Sequence, residues 1–230
     1  MARKLYDLAA ADPARRFSPY CWRAKLALAH KGLNVETIPW RFAEKEAIAF
    51  SGQGRVPVLV DGERVVSDSW AIANYLEDAY PGPSLFGGEG GRAVTRLVNG
   101  WADTVLVGAI ARVVLMDIYE HLHENDRAYF RQSREQRFGK KLEEVVADRE
   151  GNLASLRQAL EPVRTTLAHQ AFVGGAAPLY ADYIVFGNLQ WARCISATPL
   201  LAKDDPIVAW RERILDSFAG LGRNAPAYAA

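Results

Sequence analysis

Residues 17–32 read FSPYCWRAKLALAHKG. A serine and a proline stand directly before an apolar run with helical spacing, and a glycine closes it. Ser18 followed by Pro19 is a helix start signal, because the hydroxyl satisfies an orphan backbone N–H and proline has none to lose. Gly32 is the matching stop. On a helical wheel Cys21, Ala24 and Leu28 form one stripe, with Trp22, Leu26 and Ala29 beside it and Arg23 and His30 opposite. Cys21 therefore reads as a small buried hydrophobe. Each of these residues has a sufficient structural role without any chemistry.

Outward from this helix the elements are short and alternate in type up to Pro83. LYDL (residues 5–8) and VETIPW (35–40) read as strands, AEKEAIAF (43–50) as a short helix. VPVLVDGERVVSD (56–68) reads as two strands joined at Asp61-Gly62, a turn pair that tolerates positive φ. SWAIANYLEDAY (69–80) reads as a further helix stopped by Pro81 and Pro83. The order β-α-β-α-β-β-α predicts an α/β layer over residues 1–83. The Pro- and Gly-rich run PGPSLFGGEGGR (81–92) marks an interdomain boundary, with residues 84–92 as the linker. Residues 93–230 read as all-helical. LVNGWADTVLVGAIARVVLMDIYEHL (97–122) predicts one long helix bent near Gly100 or Gly108. Residues 150–169 carry Leu153, Leu156, Leu160, Val163 and Leu167 on one face, and PIVAWRERILDSF (206–218) predicts a last helix opened by Pro206.

The composition narrows the class. The chain has 230 residues, is 50% hydrophobic and carries a formal charge of +1. Near neutrality argues against a nucleic-acid partner. No run approaches the ~20 apolar residues of a membrane span. The first residues lack an apolar signal core, and Cys21 and Cys194 suggest no disulfide framework, so the expectation is a cytoplasmic protein.

Chemistry enters through three features in one order. A helix N-terminus stabilises negative charge, so Ser18 is placed to donate to an incoming thiolate and lower its pKa from ~8.5. Val56-Pro57 precedes the strand VLV, and with a cis bond the valine's main chain faces an extended peptide, as in strand addition. Asp68-Ser69 opens a helix, where N–H groups and a hydroxyl suit a carboxylate and Asp68 suits an ammonium. Each also has a plain structural reading as a cap or a strand entry.

SPYCWRAKLALAHKGL, GRVPVLVDG and SDSWAIANYLEDAYP together resemble the glutathione transferases over nearly the whole chain. SPYCWR, DSWAIANYL, RQSREQRFGKKLEEV and DDPIVAWRERILDSFAGLGR resemble more narrowly the serine-type bacterial β-aryl etherase branch. The resemblance implies a thioredoxin-like N-terminal domain, an all-helical C-terminal domain supplying the hydrophobic pocket, and a homodimer. It implies that Ser18 faces the glutathione sulfur, that Val56 pairs with the cysteinyl unit beside cis-Pro57, and that Asp68 and Ser69 grip the γ-glutamyl end. Arg55 is assigned to a carboxylate. Glutathione is then a co-substrate, no metal is required, and the second substrate is a small hydrophobic aromatic electrophile, ether cleavage being the sharper expectation. The alternative is a non-catalytic glutathione-binding or interaction module of the same fold. A reductase working through Cys21 is disfavoured, because Ser18 stands where a glutaredoxin-like pattern has its first cysteine.

Four further readings are structural. Leu179, before Tyr180-Ala181-Asp182, cannot cap with its side chain, which leaves Asp182 to bond nearby N–H groups. His121 and His123, two apart, read as a solvated helix end rather than metal ligands, and RQSREQRFGKK (131–141) reads as a solvated face. Tyr119, Arg112, Met116, Tyr183 and Trp191 read as core first, and as pocket lining only if their helices face Ser18.

Overall fold

The β-branched and aromatic residues of LYDL and VPVLV suit a pleated, buried surface, and in the computed structural model, which describes residues 3–228, they form the middle of one sheet. The outer limits of the two expected domains, residues 1–2 and 229–230, lie outside the described residues. Strand β1 (Lys4–Leu8) pairs in parallel with β2 (Glu36–Trp40) and antiparallel with β3 (Val58–Asp61), which pairs with β4 (Arg64–Ser67). The sheet order is β2-β1-β3-β4. Pro39 sits in β2 at the sheet edge, where a missing donor costs nothing.

Two local expectations are corrected here. Asp61 pairs with Arg64, so the tight loop is Gly62-Glu63 rather than Asp61-Gly62; Gly62 takes the positive φ of +62°. Asp61 stays in the strand because the hydroxyls of Tyr75 (3.1 Å) and Tyr80 hold its carboxylate. AEKEAIAF forms a 3-10 helix over Lys45–Ser51, too short to gain from α-helical cooperativity and ended by Gly52 at φ +72°.

Helix α1 (Pro19–His30) and α2 (Ser69–Ala79) pack against each other beside the sheet. Ser84 and Leu85 then cross toward the helical region tied to α2: the Glu77 carboxylate accepts from the Leu85 amide at 2.9 Å and from the Ser84 hydroxyl. Leu85 and Phe86 are fully buried, so this stretch is packed rather than loose. Glu89–Arg92, read as linker, already belongs to α3 (Glu89–Trp101).

A π-helical turn over Ala102–Leu106 joins α3 to α4 (Val107–His121). The predicted long helix is therefore continuous but irregular between Gly100 and Gly108. Helices α5 (Glu124–Phe138) and α6 (Leu142–Val145) follow. The apolar face predicted over 150–169 is split at Leu160 into α7 (Arg149–Ala159) and α8 (Glu161–Leu167), because Pro162 has no N–H to continue the ladder. Helix α9 (Tyr180–Ile195) is buried along nearly its whole length and packs on α1. Helix α10 (Pro206–Gly220) closes the chain, its backbone leaving helical geometry at Ser217–Ala219. Arg23, placed opposite the apolar stripe of α1, is nevertheless fully buried: α1 is covered on that side too, by the helical half.

Asp182 does what Leu179 cannot. Its carboxylate accepts from the amides of Val173 (2.7 Å), Gly174 (2.9 Å) and Leu179 (2.9 Å) and from the Trp210 indole (2.8 Å). One buried side chain thereby starts α9 and fixes α10 against it. The result is a thioredoxin-like α/β half with a mixed sheet, followed by an all-helical half. Among the described residues no helix is long and apolar enough to cross a membrane.

Candidate active site

The N-terminus of α1, the turn before β3 and the start of α2 open on one cavity of about 590 Å³, walled on its far side by α4 and α5. Ser18 lines it while only 4% exposed. Its Oγ accepts the Cys21 amide at 3.2 Å, which makes it the N-cap of α1. Pro19 at the first helical position contributes no donor, so the amides that follow carry the positive end of the helix dipole into this corner.

The Val56–Pro57 peptide bond is cis, and both residues line the cavity. The Pro57 carbonyl accepts from the Asp68 amide at 3.2 Å, which fixes the turn to the start of α2. Asp68 is exposed, lines the cavity and caps α2 by accepting from Trp70 (2.8 Å) and Ala71 (3.1 Å). It does so at φ +79°, a conformation that costs a non-glycine residue about 1–3 kcal/mol and persists only where its surroundings impose it. Ser69 is 2% exposed and lies behind this surface, its carbonyl taken by the Tyr180 hydroxyl at 2.7 Å. Arg55 is exposed at the mouth. Five of the six residues singled out from sequence thus line one cavity, and Ser69 backs it.

The opposite wall is aromatic. Phe42 packs against Tyr129 (centroids 5.6 Å) and Phe130 (6.1 Å), and Phe138, Trp40 and Trp191 complete it. The Arg134 guanidinium lies over Phe130 at 4.7 Å and over Phe42 at 5.4 Å. Tyr20 stands between the two sides under the Arg23 guanidinium, 4.6 Å from its ring, and burial pushes its phenol pKa up. Asp103, within the π turn, reaches the cavity and accepts from Arg23 (2.9 Å) and Asn99 (2.8 Å).

Several of these residues escaped sequence reasoning. Of the five pocket candidates only Trp191 lines the cavity. Tyr183 is instead buried with its hydroxyl 2.7 Å from His30 Nδ1, and Tyr119 sits under the Arg131 guanidinium at 4.8 Å. The basic run is not simply solvated: Arg131 pairs with Glu135 and Glu143, whereas Arg134 and Arg137 turn to the cavity. The available signal was the recurrence of Phe130, Arg134 and Arg137 at helical spacing on α5. It was masked by the polar residues around them.

Cys21 lies behind Ser18, with no exposed surface. Burial pushes its thiol well above the ordinary range, and the Asp7 carboxylate adds to the effect. Asp7 is itself fully buried and paired with Lys25 at 2.9 Å. Among the described residues no cluster of three or more His, Cys, Asp or Glu side chains is arranged to hold a metal.

Residues 14–84 match the family model described as glutathione S-transferase, N-terminal domain, and residues 93–211 match that described as glutathione S-transferase, C-terminal domain. Glutathione S-transferase Z2 of Arabidopsis thaliana is 32% identical over 46% of this chain and 48% of its own length. Maleylacetoacetate isomerase of Pseudomonas aeruginosa is 38% identical over 28% of this chain and 34% of its own. The matched stretches thus span about half or less of these curated relatives. A glutathione transferase of Phanerochaete chrysosporium superposes with a TM-score of 0.84 at 24% identity, covering 96% of this chain and 97% of that one. A glutathione S-transferase of Ceriporiopsis subvermispora, solved in complex with glutathione, gives 0.83 at 23% identity, covering 95% and 97%.

Proposed function

Because the chain belongs to the glutathione S-transferase family, we propose that its cavity joins the thiol of glutathione to a hydrophobic aromatic electrophile. The observation that carries this reading is the convergence of Ser18, Val56-Pro57 and Asp68 on a cavity whose far wall is aromatic. In this reading the α1 terminus and the Ser18 hydroxyl stabilise the thiolate. The Val56 main chain pairs with the cysteinyl unit beside Pro57, Asp68 and Ser69 hold the γ-glutamyl end, and Arg55 meets a carboxylate. Holding both substrates in line supplies much of the rate.

The sharper form is cleavage of a β-aryl ether next to a ketone. The sulfur forms a C–S bond at the ether carbon, the carbon–oxygen bond breaks, and the aryloxide leaves with the electron pair and takes a proton from water. Glutathione is consumed, and the chain works as a homodimer. The test mixes the protein with glutathione and a β-aryl ether ketone and follows products by mass spectrometry. Glutathione-dependent release of phenol with matching thioether supports ether cleavage. Conjugation of other aromatic electrophiles alone supports the broader transferase. Glutathione binding with no conjugation of any electrophile overturns turnover and leaves a binding module.

A further inference from the structure

We propose that the half of the cavity facing the glutathione side binds the carboxylate of an aromatic acid through Arg134, with Arg137 beside it, so that the acceptor substrate is anionic as well as aromatic. The word acceptor rests on the transferase reading; the anion site itself rests on the geometry of α5.

Five charged side chains line the cavity: Arg55, Asp68, Asp103, Arg134 and Arg137. The two acids are engaged. Asp68 accepts from two amides at the start of α2, and Asp103 is held by the buried Arg23. Among the described residues none of the three lining arginines has an ion-pair partner, although Arg131, on the same helix, has two. These three arginines outnumber the two engaged acids in a concave, aromatic-walled site, whose low-dielectric walls concentrate the net positive field on an anion.

Arg134 is the organised member of this group. Its guanidinium lies over two phenyl rings, at 4.7 and 5.4 Å, and its one side-chain hydrogen bond among the described residues is to the Ser133 hydroxyl at 2.9 Å. Stacking fixes the plane of the fork while leaving donors uncommitted, which is the arrangement that bidentate carboxylate recognition needs. Burial pulls its pKa down, Tyr129 opposes this, and the charges of Arg137 and Arg55 pull it down further. A bound carboxylate relieves that repulsion. The guanidinium lies over the rings of Phe42 and Phe130, and Tyr129 packs against Phe42, so an aryl body attached to the carboxylate finds its apolar contact there.

The probes are naphthalene-2-carboxylate and its neutral twin naphthalene-2-carboxamide, titrated calorimetrically into the full chain with and without S-methylglutathione. We expect the carboxylate to bind about tenfold more tightly than the amide, the usual advantage of a charge-assisted hydrogen bond. Arg134→Met keeps the stacking and removes the charge; it should erase that difference and leave S-methylglutathione affinity intact, which also reports that the cavity is folded. Arg134→Lys should restore part of the preference. Equal binding of the two probes, or binding of neither, overturns the inference. So does an Arg134→Met variant that loses S-methylglutathione affinity but keeps the carboxylate preference, since Arg134 would then serve glutathione. A carboxylate preference in a protein that does not bind S-methylglutathione supports the anion site and removes the transferase reading instead.

Discussion

The Ser18 hydroxyl oxygen accepts the Cys21 amide proton at 3.2 Å, while the Cys21 sulfur is turned away from the cavity that Ser18 lines. The two residues with a claim to thiol chemistry are therefore joined through the main chain and divided in role. The oxygen starts the helix and keeps its own proton to donate elsewhere. The sulfur fills the core.

Replacing Ser18 separates those roles. Ser18→Ala removes the cap and should cost about 1 kcal/mol of stability by chemical denaturation. It should also raise the pKa of bound glutathione, read as thiolate ultraviolet absorbance against pH, and Ser18→Thr should restore both. A stability loss with the bound thiol's pKa unchanged would leave Ser18 as a cap only.

Cys21→Ala should leave transfer activity intact and cost about 1 kcal/mol, the ordinary loss for a small buried group. Burial pushes Cys21 well above the usual thiol range and Cys194 up to about 11, so both are protonated at neutral pH as well as covered. A thiol reagent should label the unfolded chain promptly and the native one scarcely. Rapid native labelling of Cys21, or loss of a disulfide-reducing activity in Cys21→Ala, would return this residue to the chemistry.

The legibility of the site followed the range of its causes. Ser18, Pro57 and Asp68 act through their own local backbone, as a cap, a strand entry and a helix start, and a linear pattern records such roles directly. The order of strands and helices was readable for the same reason. The 3-10 turn at Lys45–Ser51 and the break at Leu160 depended on the length of a run and on one proline set against a long apolar face. Arg134 and Asp103 were invisible because their meaning is tertiary. Their environment is set by what α5 and the π turn face, and Arg131, three residues from Arg134, spends its charge on Glu135 and Glu143.

Gly187, on α9, lies close against the start of α1. A Cβ there would lie 2.6 Å from the Pro19 carbonyl oxygen, a backbone atom that moves only if the start of α1 moves. Gly187→Ala should destabilise the protein by about 1–3 kcal/mol, the usual cost of overpacking. It should also weaken glutathione binding, because Ser18 adjoins the displaced Pro19. Full glutathione affinity in a destabilised variant would mean that α9 yields instead of α1.

Acid should loosen the crossing between the halves through Glu77. Burial alone would raise its pKa, but the Leu85 amide (2.9 Å), the Lys31 ammonium (2.7 Å) and the Ser84 hydroxyl outweigh burial and hold it below the ordinary value of 4.5. A carboxylate whose folded pKa is depressed binds protons more readily when unfolded. Its stabilisation is therefore complete above the unfolded value and is lost as the pH falls through the lower, folded one. Glu77→Gln keeps an acceptor for Leu85 but removes the charge facing Lys31, whose side chain is only 2% exposed. The variant should be about 2 kcal/mol less stable at neutral pH, the scale of a hydrogen bond to a charged group. The two proteins should converge in stability as the pH drops below the folded-state pKa. Denaturation midpoints across that range decide the matter, and a gap that stays constant into acid would show that shape, not charge, makes the contribution at Glu77.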